Sequence, residues 1–320
     1  MKNSPTVLLT GSSGFIGATL QAVLQQNNYN VRCLTRMSAS TTPGVVHMIA
    51  DITDSEGLII ACQKVDCVVH LAGRAHQLRD QASSPLAEFR KINVNGTMNL
   101  ARAALEAGVK RFIFISSIGV NGAFTTEQPF TEDSVPAPHA DYAISKLEAE
   151  QQLAALLQGT GMELVIIRPP LVYAGHAPGN FHRILKLIAA GMPLPFGAIK
   201  NQRSLVALPN LVDFILLCIE KKEAAGQLFL ISDGIDVSIQ EIVQYLALGM
   251  EKKVRILSIP APVLKLGAQL IMMPHVYTQL CASLIVDSSK ARKLLGWNPI
   301  IAPQQALYTS GLEFRLAHGN

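Results

Sequence analysis

Asp141-Tyr142-Ala143-Ile144-Ser145-Lys146 sets a phenol and an ammonium four residues apart. On a helix, that spacing puts both on one face. Such a pair can simply pack and solvate. It can also move protons, because a nearby cation favours the phenolate. A free tyrosine, with a pKa of about 10, is a poor base at neutral pH, and a shift of about three units takes roughly 4 kcal/mol of differential stabilisation. The six residues alone leave both readings open.

A second stretch, Thr10-Gly11-Ser12-Ser13-Gly14-Phe15-Ile16-Gly17, lies between an apolar run and a helical pattern. Glycines at 11, 14 and 17 permit a tight turn, close approach of a pyrophosphate to the backbone, and close helix–strand packing. Free N–H groups at the helix start then meet the phosphates. Gly11, Ser13, Gly14, Phe15, Ile16 and Gly17 are therefore expected to cradle a dinucleotide. An acidic residue at the end of the second strand would bind the adenosine ribose and repel a 2′-phosphate. Val31-Arg32-Cys33-Leu34-Thr35-Arg36 has no carboxylate there. The planar fork of Arg36 can clamp a phosphate instead, so NADP is expected ahead of NAD. Asp51 and Ile52, just past the third strand, fall where the adenine would lie. Leu71-Ala72-Gly73 ends the fourth strand and would run under the adenine-side ribose and phosphates.

The elements that must position these groups show a regular rhythm. Val7–Leu9, Val31–Thr35, Val45–Ile49, Cys67–Leu71, Phe112–Ser116 and Leu164–Ile167 are short, continuously apolar runs, as strands covered on both faces should be. Helical patterns over Phe15–Asn27, Leu86–Ala107 and Tyr142–Gln158 alternate with them. The order predicts a Rossmann-type, doubly wound parallel α/β sheet over residues 1–172. After Pro169-Pro170 the pattern changes to helices near 180–190, 210–221, 238–249, 262–284 and 287–295, with brief strands near 204–207 and 227–231. Residues 173–320 are expected to form a smaller mixed α/β substrate lobe that returns a strand or two to the main sheet.

Bulk properties exclude several function classes. With 320 residues, 49% hydrophobic and 16% charged, the chain has ample apolar surface to bury. The net charge is +4 and no Lys/Arg block exceeds two residues, so no nucleic-acid partner is expected. Five scattered cysteines suit a reducing cytoplasmic compartment. Eight histidines show no metal-ligand spacing, and no metal is expected. The first residues lack the order of a signal peptide. Residues 260–286 are apolar enough to attract attention as a membrane span, but Pro274 and His275 split them and Lys265 interrupts them. Two helices around a loop are expected, with attachment to a membrane surface the lesser alternative.

These motifs together resemble the extended short-chain dehydrogenase/reductase family, in its nucleotide-sugar epimerase/dehydratase group. The likeness rests on the glycine loop, His70-Leu71-Ala72-Gly73, Asn93-Val94-Asn95-Gly96-Thr97, Ser116-Ser117-Ile118-Gly119-Val120-Asn121-Gly122, Tyr142…Lys146 and Arg168-Pro169. It extends to Asp287-Ser288-Ser289-Lys290-Ala291 and Leu295-Gly296-Trp297-Asn298-Pro299. The resemblance implies that Tyr142 is the acid/base, that Lys146 binds the nicotinamide ribose, and that Ser117 binds the reacting oxygen. It also implies a cofactor contact at Pro169, a UDP- or dTDP-sugar substrate, and a homodimer pairing the helices near 86–107 and 142–158. Asn180 and Arg203 match the positions that hold the nucleotide diphosphate. The turn Val172-Tyr173-Ala174-Gly175 departs from the family's Val-Tyr-Gly-Pro, and the usual second arginine is absent between 260 and 286.

The reaction is narrower than the family. Dehydratases of this group carry Thr-Asp-Glu where this chain has Ser117-Ile118-Gly119. Ile and Gly exchange no protons, which argues against dehydration and leaves hydride transfer. With Arg36 favouring NADP, reduction of a UDP-4-keto-6-deoxy-N-acetylhexosamine in surface-polysaccharide synthesis is the first expectation, with Tyr142 protonating O4. A UDP-sugar 4-epimerase retaining NAD is the alternative. A reductase of a non-phosphorylated ketone and a non-catalytic cofactor sensor are further alternatives.

Overall fold

The computed structural model describes residues 4–36, 43–74, 84–270 and 274–319. The chain starts with β1 (Thr6–Thr10), α1 (Phe15–Gln26), β2 (Asn30–Thr35), β3 (Val45–Ile49), α2 (Ser55–Cys62) and β4 (Cys67–His70). One long helical stretch follows in three parts: α3 (Pro85–Phe89), a π-helical turn (Arg90–Gly96) and α4 (Thr97–Glu106). Then come β5 (Arg111–Ile115), α5 (Asp141–Leu157), β6 (Glu163–Arg168) and β7 (Leu171–Tyr173).

Seven parallel strands form the main sheet in the order β3-β2-β1-β4-β5-β6-β9, where β9 is Leu228–Leu230. The strand order turns round between β1 and β4. In such sheets ligands bind in the crevice outside the carboxyl ends of the strands at that reversal. β4 and β5 are buried along their whole length, which is why they read as unbroken apolar runs. Alternate side chains feed two cores. Val7, Leu9, Ile113 and Ile115 pack with Leu20, Leu24 and Phe214 on one face. Leu8, Val68, Phe112 and Phe114 pack with Leu58, Leu100 and Leu153 on the other.

The second lobe holds α6 (Gly179–Ala189), β8 (Leu205–Ala207), α7 (Leu208–Glu220), α8 (Ile239–Gly249), α9 (Ala261–Leu270), α10 (Pro274–Cys281), α11 (Ser289–Leu295) and α12 (Pro303–His318). Its core gathers Tyr173, Phe181, Leu185, Leu246 and Leu307. Of its two expected strands only β9 returns to the main sheet. β8 pairs with β7 in a separate two-stranded sheet. The apolar stretch 260–286 divides into α9 and α10, and among the described residues no helix is long and apolar enough to cross a membrane.

A buried ion pair ties α5 to the main sheet. Arg168, at the end of β6, donates from Nε and Nη2 to Glu150 of α5 at 3.0 and 2.5 Å, and from Nη1 to Asn121 at 2.9 Å. All three residues are buried. Their bonds fix α5 and the loop after β5 relative to β6, a positioning role in which a satisfied buried pair is better attested than in raw stabilisation.

Candidate active site

The glycine loop has the geometry that its sequence predicts. Gly11 adopts φ +70°, and Gly14 N–H donates to Gly11 O at 2.9 Å. A Cβ at Gly17 would stand 2.1 Å from Gly11 O, so only glycine lets α1 press against the loop. The N-terminus of α1 has no side-chain cap and no acid in its first turn, leaving its N–H groups for an anion. Ser13 and Gly14 are exposed above this end, while Phe15 and Ile16 lean into the core. These residues fit the pyrophosphate of a dinucleotide.

At the carboxyl ends of β2 and β3, Arg36 is exposed just past β2. Asp51 accepts from the N–H and hydroxyl of Thr53 at 2.9 and 2.6 Å. Those bonds hold its carboxyl below the usual range, assisted by the charges of Arg36 and Lys91. Lys91, on the π-helical turn, is a second cation here that sequence reading did not single out. Ile52 packs beneath Gly96 and its carbonyl accepts from Asn99 at 3.3 Å.

A buried hydrogen-bond chain sets the floor of the crevice. Ala72 N–H donates to Thr10 Oγ1 at 3.1 Å, and Thr10 meets His70 Nδ1 at 2.6 Å. His70 Nε2 meets Thr97 Oγ1 at 2.8 Å, and the Thr97 hydroxyl donates to Asn93 O at 2.7 Å. With the Thr97 proton so directed, its oxygen receives Nε2–H, and His70 Nδ1 accepts from Thr10. Burial, and then the Lys146 charge, push His70 down to about 3, so the ring is neutral. This chain fixes Leu71 and Ala72, and leaves Gly73 exposed at the crevice.

Asn93 joins the pieces. Its Oδ1 accepts from Arg74 N–H at 2.7 Å, and its Nδ2 donates to Arg74 O at 3.2 Å and Ser145 Oγ at 3.0 Å. It sits in the π-helical turn, where one extra residue per turn re-aims the side chain. The sequence marked Asn93 as part of a motif but assigned it no role. The signal was a polar residue inside an otherwise apolar helical stripe.

Tyr142, Lys146 and Ser117 come together above this floor. Lys146 is buried beneath the crevice, and its Nζ donates to Ile115 O at 2.9 Å and lies 4.5 Å from the Phe114 ring centre. The same Nζ is 5.9 Å from the Tyr142 ring centre and would lie 3.5 Å from a Cβ at Gly73. Tyr142, half-buried, meets Phe89 edge-on at 6.2 Å. Ser117 Oγ accepts from Gly119 N–H at 3.1 Å, which leaves its own proton free to donate. A Cβ at Gly119 would touch both Ser117 Oγ and Ala143, at 3.3 and 3.4 Å, so Ser117 borders the first turn of α5. Pro169 O accepts from Ile118 N–H at 3.0 Å and holds that loop from below.

Within the protein alone, desolvation dominates the electrostatics of this pair. Burial pushes Tyr142 up to about 12. Burial also pulls Lys146 down to about 8, against the opposing charge of Glu150. At these separations desolvation outweighs the attraction between phenolate and ammonium. The protein groups alone keep the phenol neutral.

In the second lobe, Asn180 and Arg203 meet the same short segment. Asn180 Nδ2 donates to Gln279, and Arg203 Nη1 donates to Ala282 O at 2.7 Å. Asn201 Nδ2 donates to Leu280 O at 2.9 Å. Arg203 is buried, with its backbone bridged to Val237 and Leu284. Burial lowers its guanidinium to about 10. No carboxylate among the described residues pairs with it, and a buried cation without an anion is costly. A diphosphate would supply the missing charge.

Residues 7–232 match the NAD dependent epimerase/dehydratase family. The chain is 42% identical over 301 residues to a UDP-glucose 4-epimerase of Vibrio cholerae, covering 93% of this chain and 92% of that one. It is 31% identical over 263 residues to the N-acetyl-alpha-D-glucosaminyl-diphospho-ditrans,octacis-undecaprenol 4-epimerase of Escherichia coli O157:H7, covering 82% and 77%. Its fold is similar to that of the Bordetella bronchiseptica enzyme WbmG in complex with NAD and UDP, with a TM-score of 0.76, 21% identity and coverage of 98% and 94%.

Proposed function

We propose that this chain, which belongs to the NAD dependent epimerase/dehydratase family, inverts the C4 carbon of a UDP-sugar. The observation that carries the reading is the convergence of Ser117, Tyr142 and Lys146 beside Ile118 and Gly119, which offer no acid for dehydration. The Vibrio cholerae relative favours epimerisation over the one-way 4-keto reduction suggested by Arg36 alone.

NAD, held by Gly11, Ser13, Gly14, Phe15, Ile16 and Gly17, with Asp51, Ile52, Leu71, Ala72, Gly73 and Pro169 along its length, would supply a reversible two-electron acceptor at C4. Tyr142 takes the proton of the C4 hydroxyl as that carbon is oxidised and returns it on reduction. Ser117 donates its free proton to the same oxygen and steadies the developing negative charge. Lys146 keeps one N–H on Ile115 O and has two left for the nicotinamide ribose. Asn180 and Arg203 take the diphosphate. That group is shared by UDP-sugars and by the lipid-linked sugar in the name of the Escherichia coli relative. Two copies pair through α4 and α5. The free cysteines, Cys33, Cys62, Cys67, Cys218 and Cys281, suit a cytoplasmic setting.

Protein purified without added nucleotide is expected to carry NAD and to interconvert UDP-glucose and UDP-galactose, or their N-acetyl forms, with no cofactor supplied. Turnover that consumes NADPH in proportion to a 4-keto sugar, with no epimerisation, would establish the reductase instead. Arg36 and Lys91 at the adenine end are what keep that second reading in view. An Arg36→Ala variant distinguishes them at the binding level. NADP affinity is expected to fall about tenfold, the value of one lost charged contact of about 1.4 kcal/mol, while NAD affinity measured by calorimetry stays within about threefold.

A further inference from the structure

We infer that the outer face of α9 docks on an anionic lipid bilayer surface. The helix is oriented clearly by its own periodicity. Ala261, Leu264 and Ala268 point inward, and Ala261 and Leu264 pack on the second-lobe core. The opposite stripe, at spacing 263, 266, 267 and 270, is Val263, Leu266, Gly267 and Leu270. Its three large side chains are 57%, 58% and 76% exposed, and no residue of α9 is fully buried. A helix on the surface of a water-soluble lobe normally turns polar residues outward. Here the outward stripe is the apolar one, and Leu257 on the segment before α9 is also exposed.

The charge pattern specifies the partner. Glu251 is the last acid before Asp287, so residues 252–286 contain no carboxylate. Lys252, Lys253, Arg255 and Lys265 lie in that interval, and all four are exposed. An exposed apolar stripe in a stretch of chain that carries four exposed cations and no acid matches a bilayer of anionic headgroups, where each cation near the surface adds to the apolar insertion. Pairing with a second copy would set these cations against the same cations, which is repulsive. Helix α10, which packs against α9, carries Gln279, the partner of the candidate substrate residue Asn180. Docking would hold the diphosphate-binding side of the second lobe at the membrane.

The test uses the full-length protein and co-sedimentation with phosphatidylcholine vesicles with and without phosphatidylglycerol. Wild type is expected to bind the anionic vesicles, with binding weakened by added salt and absent on pure phosphatidylcholine. A Val263→Ser/Leu266→Ser/Leu270→Ser variant should bind at least about tenfold more weakly, and Lys252→Glu/Lys253→Glu comparably. Because all these side chains are exposed, Tm should stay at the wild-type value, and thermal melts confirm that each variant is folded. Absence of wild-type binding to anionic vesicles overturns the inference, as does undiminished binding by the folded apolar variant. A drop in oligomeric state of that variant by light scattering, without any lipid binding, would assign the patch to a second copy. Lipid binding is read without any turnover, so its failure is separate from failure of the proposed reaction.

Discussion

Replacing Tyr142 by phenylalanine is expected to lower kcat by about 10³-fold, within the range for loss of a positioned acid/base, while NAD stays bound. The substitution removes one oxygen and little else. The ring keeps its edge contact with Phe89 at 6.2 Å and its place 5.9 Å from Lys146. The Tyr142 hydroxyl makes no hydrogen bond to a described residue, so no buried partner is stranded and Tm should move by less than about 1 °C. The wild-type acid limb of kcat/KM is the more discriminating readout. In the pocket alone the phenol stands near 12 because of burial. If an entering cation lowers it, the limb will lie well below that value and disappear in Tyr142→Phe. A variant retaining a tenth of wild-type kcat would remove Tyr142 from the acid/base role.

How much of this was readable beforehand differs from element to element. β4 and β5 declared themselves because burial on both faces leaves no polar residue in Cys67-Val68-Val69-His70 or Arg111-Phe112-Ile113-Phe114-Ile115 except at the ends. The glycine loop was readable for a related reason: a Cβ 2.1 Å from a carbonyl oxygen admits no other residue at 17. Helix α12 was missed. Its Ser310-Gly311 pair resembles a break, yet Gly311 is there because a Cβ would stand 2.2 Å from Leu246 O of α8. The π-helical turn was also invisible, because a run of apolar residues at helical spacing does not reveal one inserted residue. What aims Asn93 is a set of tertiary bonds to Arg74 and Ser145, and neither is near it in sequence. The same holds for the electrostatics of Tyr142 and Lys146. Spacing put them on one face, but their ionisation is set by burial, which spacing does not encode.

That burial makes the second prediction unusual, because activity and stability should move independently when Lys146 becomes methionine. Activity should fall by about 10²- to 10⁴-fold, since the variant loses both the ribose contact and the positive charge beside the phenol. Stability follows from the lysine's depressed pKa. Folding lowers Lys146 from 10.5 to about 8, chiefly by burial. Between those values the unfolded chain holds more protons, so wild-type stability rises with pH through that window, and below about pH 8 the full penalty of burying the charge is present. That penalty is about 3 kcal/mol. Against it stand the bond to Ile115 O at 2.9 Å and the contact over Phe114 at 4.5 Å, together worth roughly 2–3 kcal/mol once the stranded carbonyl is counted. The two sides nearly cancel at pH 7, so Lys146→Met should melt within about 2 °C of wild type there despite losing a buried hydrogen bond. By pH 10 the wild type has shed most of its penalty and, although the neutral amine no longer gains from the Phe114 ring, it still reaches Ile115 O. The variant has gained nothing and should melt a few degrees lower. A lysine with only a packing role would give the opposite pattern, a lower Tm at pH 7 with kcat nearly intact. Thermal melts at the two pH values, beside one turnover assay, therefore decide whether the charge under Tyr142 is there for the reaction or for the fold.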